Sequence, residues 1–188
     1  MITTFKSFGL VLVTMFAIAG CTTQMQEPVP ADVVSDLRVV SVNVEVPRTL
    51  TVSEADTIKP VADIVWHEDP MGDRYAQVES VVREAIEAGA KTATGNRAVS
   101  LDVVVTRFHA QTNRVRYSGY PSEHETEFNL TIRDAATGAV LSSRHVDATF
   151  KAYNGATAVA ADKQGITQRM RIVEYVKTVI AQELRRPI

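Results

Sequence analysis

Hydrophobic and polar residues alternate with a period of two in several stretches of the chain. Successive side chains of a β-strand point to opposite faces, so this alternation predicts strands with one buried face. The stretches are 37–46, 98–109, 125–134 and 140–150. A short apolar run at 62–66 predicts one further strand. In the first stretch, the valines expected to face the core are Val40, Val42, Val44 and Val46.

The stretch 98–109 is the longest of these and has apolar residues on both of its faces. The residues that share one face are Val99, Leu101, Val103 and Val105. Val104 and Phe108 fall on the other face, which predicts partial cover on both sides of the strand. Farther along, the run from Asp134 to Gly138 separates two alternating stretches and predicts a hairpin turn, with the glycine where the backbone φ is positive.

Two segments instead repeat apolar residues at the spacing of an α-helix. The first ends at about Ala90, and Asp69-Pro70 before it is a typical helix start, with the aspartate as the expected N-cap. The polar face of this helix is expected to hold Arg74. The second helix is predicted from about Lys163 to Leu184.

The predicted order of elements is β-β-α-β-β-β-α, and this order indicates the fold class. Runs of strands with few helices are typical of an α+β domain in which the helices cover the apolar face of one sheet. We therefore predict a two-layer sandwich, with a mostly antiparallel sheet of about four to five strands and two helices packed on one face. The polar outward residues of the hairpin predict that the opposite face meets water.

An unbroken run of about 12 apolar or small residues, from Phe8 to Ala19, follows Lys6 near the N-terminus. A helix that spans a bilayer needs roughly 20 such residues, so this run is too short to span. A positively charged start, a short apolar core and small residues at its end are typical of a secretory signal peptide, which we predict at 1–20.

The signal ends in Ile18-Ala19-Gly20-Cys21, and Cys21 is the only cysteine of the chain. This tetrapeptide resembles the lipobox of bacterial lipoproteins. The resemblance implies cleavage between Gly20 and Cys21 and attachment of diacylglycerol to the cysteine sulfur, and two or more acyl chains make such an anchor effectively permanent. The alternative is a free cysteine in an ordinary signal peptide. Thr22 is not the aspartate that the sorting rule associates with inner-membrane retention, so the periplasmic face of the outer membrane is expected.

The mature chain divides into a tether and one domain. The segment 21–35 is polar, contains Pro28 and Pro30 and shows no sustained period, which is typical of a flexible tether. The 14 residues that follow Cys21, from Thr22 to Ser35, reach at most about 45 Å when fully extended at roughly 3.3 Å per residue. We predict a single α+β domain at 36–188.

Composition excludes several classes of function. The chain of 188 residues has a net charge of −2, and so weak a field argues against nucleic-acid binding, which needs a clustered basic surface. One cysteine cannot form an internal disulfide, and the four histidines are far apart in sequence, so we predict no metal site. We predict no cofactor, because the chain has neither a P-loop nor a G-x-G-x-x-G pattern.

The most catalytic-looking cluster is Trp66-His67-Glu68-Asp69, which combines an imidazole with two carboxylates. A metalloprotease helix needs a second histidine four residues on, and Pro70 prevents a helix there. The favoured interpretation is a solvated loop with Trp66 in the core. The alternative is a hydrolase or metal-dependent enzyme centred on His67, Glu68 and Asp69. Because no G-x-S-x-G elbow or other catalytic set occurs, we predict no catalytic residues and no enzymatic activity.

Cations and aromatic residues are mixed in two nearby segments, 107–109 and 114–120. Arginine and tyrosine are enriched in protein–protein interfaces, so these segments form a candidate interaction surface. Its residues are Arg107, His109, Arg114, Arg116, Tyr117 and Tyr120. The alternative is a plain loop at the end of a strand.

Several stretches of the mature chain carry a family resemblance. They include Ala62-Asp63-Ile64-Val65-Trp66, Arg107-Phe108-His109 with Arg114-Val115-Arg116-Tyr117, and Gly165-Ile166-Thr167-Gln168. Together they resemble a family of small, uncharacterised bacterial lipoproteins with no assigned activity, so the resemblance implies a lipoprotein and supplies no site residues. A lipid anchor before a small domain of helices and strands is also loosely similar to the auxiliary lipoproteins of envelope transport systems.

These observations predict a membrane-anchored lipoprotein that faces the periplasm, has no enzymatic activity and binds a protein partner of the cell envelope. Its expected role is that of an accessory component in an assembly or transport system. Two other functions stay open. One is a carrier of a small lipid or glycan, which needs an apolar cavity between sheet and helices. The other is the hydrolase centred on His67, Glu68 and Asp69.

Overall fold

A computed structural model describes residues 36–188, the range of the predicted domain. The predicted signal peptide at 1–20 and the tether at 21–35 lie outside the described residues. The cleavage site at Gly20 and the lipid attachment site at Cys21 therefore also lie outside them.

The described residues form six strands and four helices. The strands are β1 (Leu37–Glu45), β2 (Ile64–Val65), β3 (Arg97–His109), β4 (Glu123–Asp134), β5 (Val140–Asp147) and β6 (Phe150–Lys151). The helices are α1 (Arg74–Ala90), α2 (Asn113–Arg116), α3 (Gly155–Lys163) and α4 (Gln168–Glu183). The two long helices, α1 and α4, are the predicted ones, and the two short helices are additions to the prediction.

All six strands belong to one sheet, in which the long strands follow the order β1-β3-β4-β5. β2 pairs with the end of β3, and β6 pairs with the start of β4. β4 is antiparallel to β3, β5 and β6, whereas β1 and β2 run parallel to β3. The predicted α+β class is confirmed. The parallel pair of β1 and β3 forms because the chain between them crosses over through α1, and parallel neighbours require such a connection.

One face of the sheet is buried, and both long helices contribute apolar side chains to the same core. Alternate residues of β3 and β4 are fully buried. Val82 and Ile86 of α1 and Val176 and Ile180 of α4 belong to the same hydrophobic cluster as these strand residues. The outward residues of β3 and β4 are exposed or half-buried, so the opposite face of the sheet meets water as predicted.

Two β-bulges change which side chains of β1 and β3 face the core. β1 shifts its register just after Val39, so Val40 is 50% exposed although the alternation predicted it in the core. β3 shifts its register just after Val105, which turns Phe108 into the core and leaves Arg107 on the outer face. The prediction that Phe108 covers the outer face is therefore wrong, because an extra residue in the strand reverses the alternation.

The start of α1 also differs from the predicted one. Its N-cap is Asp73 rather than Asp69, and the Asp73 carboxylate accepts two backbone hydrogen bonds from the first turn, at 3.1 and 3.3 Å. Arg74 was expected in solvent but is only 5% exposed, because its guanidinium donates to both carboxylate oxygens of Glu54 at 2.8 and 2.9 Å. This ion pair holds the loop before β2 against the start of the helix.

Candidate functional site

A cleft of about 750 Å³ lies on the outer face of the sheet, at the end where β3 stops and β4 begins. We call it the sheet-end cleft. Its floor consists of outward-facing side chains of β3, β4 and β6, namely Arg107, His109, Glu123, Glu125 and Lys151. The loop at 58–60 forms one wall, and the segment 119–122 forms another.

The bulge in β3 places Arg107 and His109 together on the floor of this cleft. The guanidinium of Arg107 donates from Nε to Glu125 Oε2 and from Nη2 to His109 Nδ1, the latter at 3.1 Å. A guanidinium only donates, so Nδ1 accepts and Nε2 carries the ring proton. Nε2 then donates to the carbonyl oxygen of Ala62 at 2.6 Å. This chain of bonds fastens the end of the wall loop to the sheet.

The surroundings of His109 lower the pKa of its imidazole. Desolvation by burial is the largest cause, and the charge of Arg107 acts in the same direction. The hydrogen bond to Ala62 and the charge of Glu125 oppose this shift without cancelling it. His109 is therefore neutral at physiological pH, and both of its ring nitrogens are engaged in hydrogen bonds.

Three further charged side chains line the cleft and make no ion pair within the described part of the chain. They are Lys59, Glu123 and Lys151. Glu123 and Lys151 face each other across the β4–β6 pair. The sequence does not reveal that these residues share a site, because they come from three distant segments that only the folded sheet brings together. No pattern in the sequence marks them.

The six residues of the predicted interaction surface do not form one surface. Arg107, His109 and Tyr120 line the sheet-end cleft, and Tyr120 stands at its rim with 57% of its surface exposed. Arg114 and Tyr117 are exposed but do not line the cleft. Three of the six residues therefore share a concave site, and two are exposed outside it.

Arg116, the sixth residue, is buried and connects two helices. It is 4% exposed, forms an ion pair with Asp162 of α3 and donates to Gln111 Oε1 at 3.4 Å. The hydroxyl of Tyr117 donates to the other oxygen of the same carboxylate at 3.0 Å. These contacts hold the pKa of Asp162 below its ordinary value, the hydrogen bond from Arg116 being the main cause. They hold α2 against α3.

Gln111 and Thr112 close the rear of the cleft through hydrogen bonds. The side-chain amide of Gln111 donates to Ser122 Oγ at 2.8 Å, and its backbone N–H donates to Gln168 Oε1 at 2.9 Å. The hydroxyl of Thr112 donates to the carbonyl oxygen of Thr57 at 2.8 Å. Both residues are nearly fully buried, so these bonds fix the walls of the cleft to the domain.

The three polar residues of the hydrolase alternative have separate partners. His67 Nε2 lies 3.3 Å from a backbone carbonyl oxygen of an earlier loop. Glu68 accepts two backbone N–H groups at the start of α4, at 2.6 and 3.1 Å. Asp69 accepts the indole N–H of Trp66 at 2.6 Å, and Trp66 is in the core as predicted. Each side chain thus has a structural contact of its own, and the three do not converge on a common point.

Among residues 36–188, no group of three or more histidine, cysteine, aspartate or glutamate side chains is arranged to hold a metal ion. No helix of the same range is long and apolar enough to cross a membrane.

A family model matches almost all of the described domain. It is described as a family of unknown function (DUF6778), and it matches residues 37–188. A search of curated proteins finds no match.

Solved structures with a related fold include bacterial lipoproteins. A Xanthomonas campestris protein of the family DUF330 is 17% identical with a TM-score of 0.44, over 83% of this chain and 92% of that one. A Caulobacter crescentus protein designated a lipoprotein is 15% identical with a TM-score of 0.38, over 80% and 88% of the two chains. The minor lipoprotein of Acinetobacter baumannii is 13% identical with a TM-score of 0.28, over 76% and 88%. Likeness at this level concerns the fold and carries nothing about activity.

Proposed function

We propose that this chain, which belongs to the family of unknown function (DUF6778) matched by its residues 37–188, is a lipid-anchored protein of the bacterial cell envelope. Its domain binds a protein partner in the sheet-end cleft and has no catalytic role. The observation that carries this proposal is the composition of that cleft. Three of the predicted interaction residues meet there with charged side chains that have no ion-pair partner in the described domain.

The bonding of His109, Glu125 and Ser122 supports a structural role for these side chains rather than general-base catalysis by them. A general base needs a nitrogen or oxygen that is free to take a proton from a substrate. Both nitrogens of His109 are already engaged, and Glu125 accepts from Arg107. Ser122 Oγ accepts from Gln111, and no imidazole hydrogen-bonds to it within the described residues. These side chains fix the shape of the cleft.

The rim and the charges of the cleft support a protein as its occupant. Ile58 and Tyr120 stand at the rim, 46% and 57% exposed, and Pro60 and Pro121 line the walls. Apolar and aromatic groups around a charged floor are the composition of protein–protein interfaces. Lysines and a glutamate without partners select a segment that carries both signs of charge.

The position of the cleft also supports this function. Leu37, where the tether joins the domain, pairs with Arg97 at the start of β3, whereas His109 ends the same strand in the cleft. The 13 residues of β3 at about 3.3 Å each span about 40 Å. The cleft thus lies at the end of β3 opposite to the point where the tether joins the domain, which leaves it open to a partner in the periplasm.

The carrier alternative receives less support. It needs an apolar cavity between sheet and helices. Buried side chains of both layers, among them Leu101, Ile86 and Ile180, belong to one hydrophobic cluster in that space. We therefore do not propose a carried lipid or glycan.

Photo-crosslinking in cells that express the full chain tests the proposal. A photoreactive amino acid replaces Tyr120 at the rim of the cleft. The control carries it at Val140, which is 53% exposed against 57% for Tyr120 but starts β5 beside the far end of β4. We expect a discrete protein adduct from position 120 and none from position 140.

A charge reversal on the floor of the cleft provides the second part of the crosslinking test. We expect Lys151→Glu to reduce the adduct from position 120 severalfold, because it sets a like charge against the partner. The matched control is Lys163→Glu, a charge reversal at an exposed position at the end of α3 that does not line the cleft. Equal adduct yields from positions 120 and 140, or an adduct that Lys151→Glu leaves unchanged, would contradict the proposal.

A further inference from the structure

A second concave surface lies on the other side of β6, along the exposed face of α4. We call it the α4 groove. It has a volume of about 500 Å³ and is lined by Phe150 and by Met170, Arg171, Glu174, Tyr175 and Thr178 of the helix. Phe150 and Lys151 are neighbours on β6 and point to opposite faces of the sheet, so the α4 groove and the sheet-end cleft are separate.

Apolar side chains line this groove and remain accessible to water. The rings of Phe150 and Tyr175 are stacked, with centroids 4.4 Å apart. Tyr175 is 38% exposed and Met170 is 56% exposed. A stacked aromatic pair beside an exposed methionine is the kind of surface that a protein interface buries.

Arg171 brings a positive charge to the groove without a carboxylate to neutralise it. Its guanidinium lies over the rings of Tyr153 and Phe150, 3.5 and 5.1 Å from their centroids, and donates to the carbonyl oxygen of Lys151 at 3.0 Å. Among the described residues it makes no ion pair, and its buried Nη1 has no acceptor. The two rings hold the cation in place beside the apolar surface.

Glu174, one turn farther along the helix, provides the opposite charge. Its side chain is 68% exposed, and its ion pair within the described domain is with Lys177, three residues on. An exposed pair of this kind contributes little to stability. Glu174 can therefore exchange Lys177 for another cation at little cost.

We propose that the α4 groove binds the α4 groove of a second copy of this chain, with the two helices antiparallel. A two-fold symmetric interface must be complementary to itself, and a helix face that carries both Arg171 and Glu174 meets this condition. In an antiparallel crossing centred between Ile172 and Val173, Arg171 lies level with Glu174 of the second copy. The symmetry forms this ion pair twice.

The same crossing brings the apolar parts of the two faces together. Met170 lies level with Tyr175 of the second copy, so the exposed methionine meets the aromatic side of the other groove. A foreign helix that carried only carboxylates would satisfy Arg171 but would set a like charge against Glu174. The presence of both charges on one face thus favours a second copy. The dimer leaves the sheet-end cleft open, so it does not depend on the partner proposed there.

Co-purification of two differently tagged full chains from the same cells tests this dimer. The membranes are dissolved in a mild detergent, one tag is captured, and the recovery of the other is measured. We expect wild-type copies to co-purify. Arg171→Glu in both copies sets carboxylates against each other, and Glu174→Arg in both copies does the same with guanidinium groups. Each change is expected to reduce recovery roughly tenfold or more.

The decisive sample combines one copy that carries Arg171→Glu with one copy that carries Glu174→Arg. One ion pair is then reversed and the other is native, so we expect recovery to return to the wild-type level. An interface elsewhere on the domain gives no such reciprocal rescue.

Two further variants keep the result independent of folding. Met170→Glu changes a side chain that is 56% exposed, and we expect it to abolish co-purification while the purified chain keeps the wild-type circular-dichroism spectrum and a cooperative unfolding transition. Val159→Glu is the matched control, on α3 and 41% exposed, and is expected to leave recovery unchanged. The proposal is overturned if wild-type copies do not co-purify, if Met170→Glu leaves recovery unchanged, or if the mixed sample recovers no better than the single variants.

Discussion

His124 is fully buried at the start of β4, and neither of its ring nitrogens has a hydrogen-bond partner within the described residues. Its ring lies against Phe150, with centroids 5.1 Å apart. Desolvation lowers the pKa of the imidazole to about 3, and the charges of Arg171 and Arg116 act in the same direction. Between about pH 3 and pH 6.5, the folded domain therefore holds this histidine in its neutral form, whereas the unfolded chain protonates it.

Replacing His124 with leucine should remove one source of acid sensitivity. The unfolded imidazole takes up a proton below its ordinary pKa of 6.5, whereas the folded one does so only near 3. The contribution to stability is thus complete above about pH 6.5 and is lost as the pH falls toward 3. Between pH 7.5 and pH 5, the wild-type free energy of unfolding should fall by about 2 kcal/mol relative to His124→Leu.

Urea unfolding of both proteins at several pH values measures this difference. The pKa of His109 is lowered as well, but both proteins contain His109, so its effect cancels in the comparison. Unfolding free energies that change in parallel with pH for the two proteins would show that His124 takes up a proton as readily in the folded domain as in the unfolded chain.

The sequence does not reveal which long charged side chains are buried, in the candidate site or elsewhere in the domain. Arg116 was assigned to an interaction surface because arginine beside tyrosine is typical of one, yet it pairs with Asp162 and is 4% exposed. Arg74 lies on the predicted polar face of α1 and is buried by Glu54. In both cases the deciding partner is tens of residues away, so the local pattern contains no information about it.

At the level of single elements, alternation identifies the strands but not their irregularities. The stretch 98–109 was predicted as a strand, and β3 occupies Arg97–His109. Its bulge after Val105 was not predicted, because one extra residue does not change the kinds of residue by which a strand is identified in the sequence. That bulge nevertheless builds the site, since it turns Arg107 and His109 to the outer face and Phe108 to the core.

The contact between α1 and α4 depends on Gly89. A Cβ at this position would lie 2.7 Å from the backbone oxygen of Lys177 and 2.8 Å from the side chain of Ile180. Alanine gains at most about 1 kcal/mol of helix propensity over glycine, whereas overpacking costs about 1–3 kcal/mol. A backbone oxygen cannot turn aside, so we expect Gly89→Ala to lower the free energy of unfolding by about 1–2 kcal/mol in urea titrations.

Gly119→Ala is the control for this substitution. No heavy atom lies within 4 Å of a Cβ built at Gly119, so its unfolding free energy should stay within about 0.5 kcal/mol of wild type. If Gly89→Ala proved as stable as wild type, the two helices would have room to separate, and the close approach would not be a requirement of the fold.

For the whole molecule, the pattern of apolar and polar residues predicts the class of the fold but not which strands pair with each other. Alternation shows that a strand has a buried face, and it is silent about the neighbour and its direction. The parallel pairing of β1 with β3 and the two-residue strand β6 were therefore not predicted. The sheet-end cleft follows from these pairings, because they bring Lys59, Arg107 and Lys151 to one end of the sheet.

In the proposed function, the whole molecule is a domain on a lipid tether, and Cys21 determines where it resides. We expect Cys21→Ser to abolish the incorporation of labelled palmitate and to move the chain from the detergent-extracted membrane fraction to the soluble periplasmic fraction. Thr22→Ser is the matched control, because it changes the neighbouring residue and keeps the thiol. A Cys21→Ser chain that is still extracted only by detergent would contradict the lipid anchor.

The released chain also separates the anchor from the binding site. The cleft is formed entirely by residues between Ile58 and Asn154, so Cys21→Ser should leave its structure intact. Confinement to a membrane surface raises the effective concentration of an anchored chain near a partner held in the same envelope. We therefore expect the adduct from position 120 to decrease in cells when Cys21 is replaced, and to return when the released protein is added at high concentration to isolated membranes. An adduct that does not return would mean that the anchor itself forms part of the binding surface.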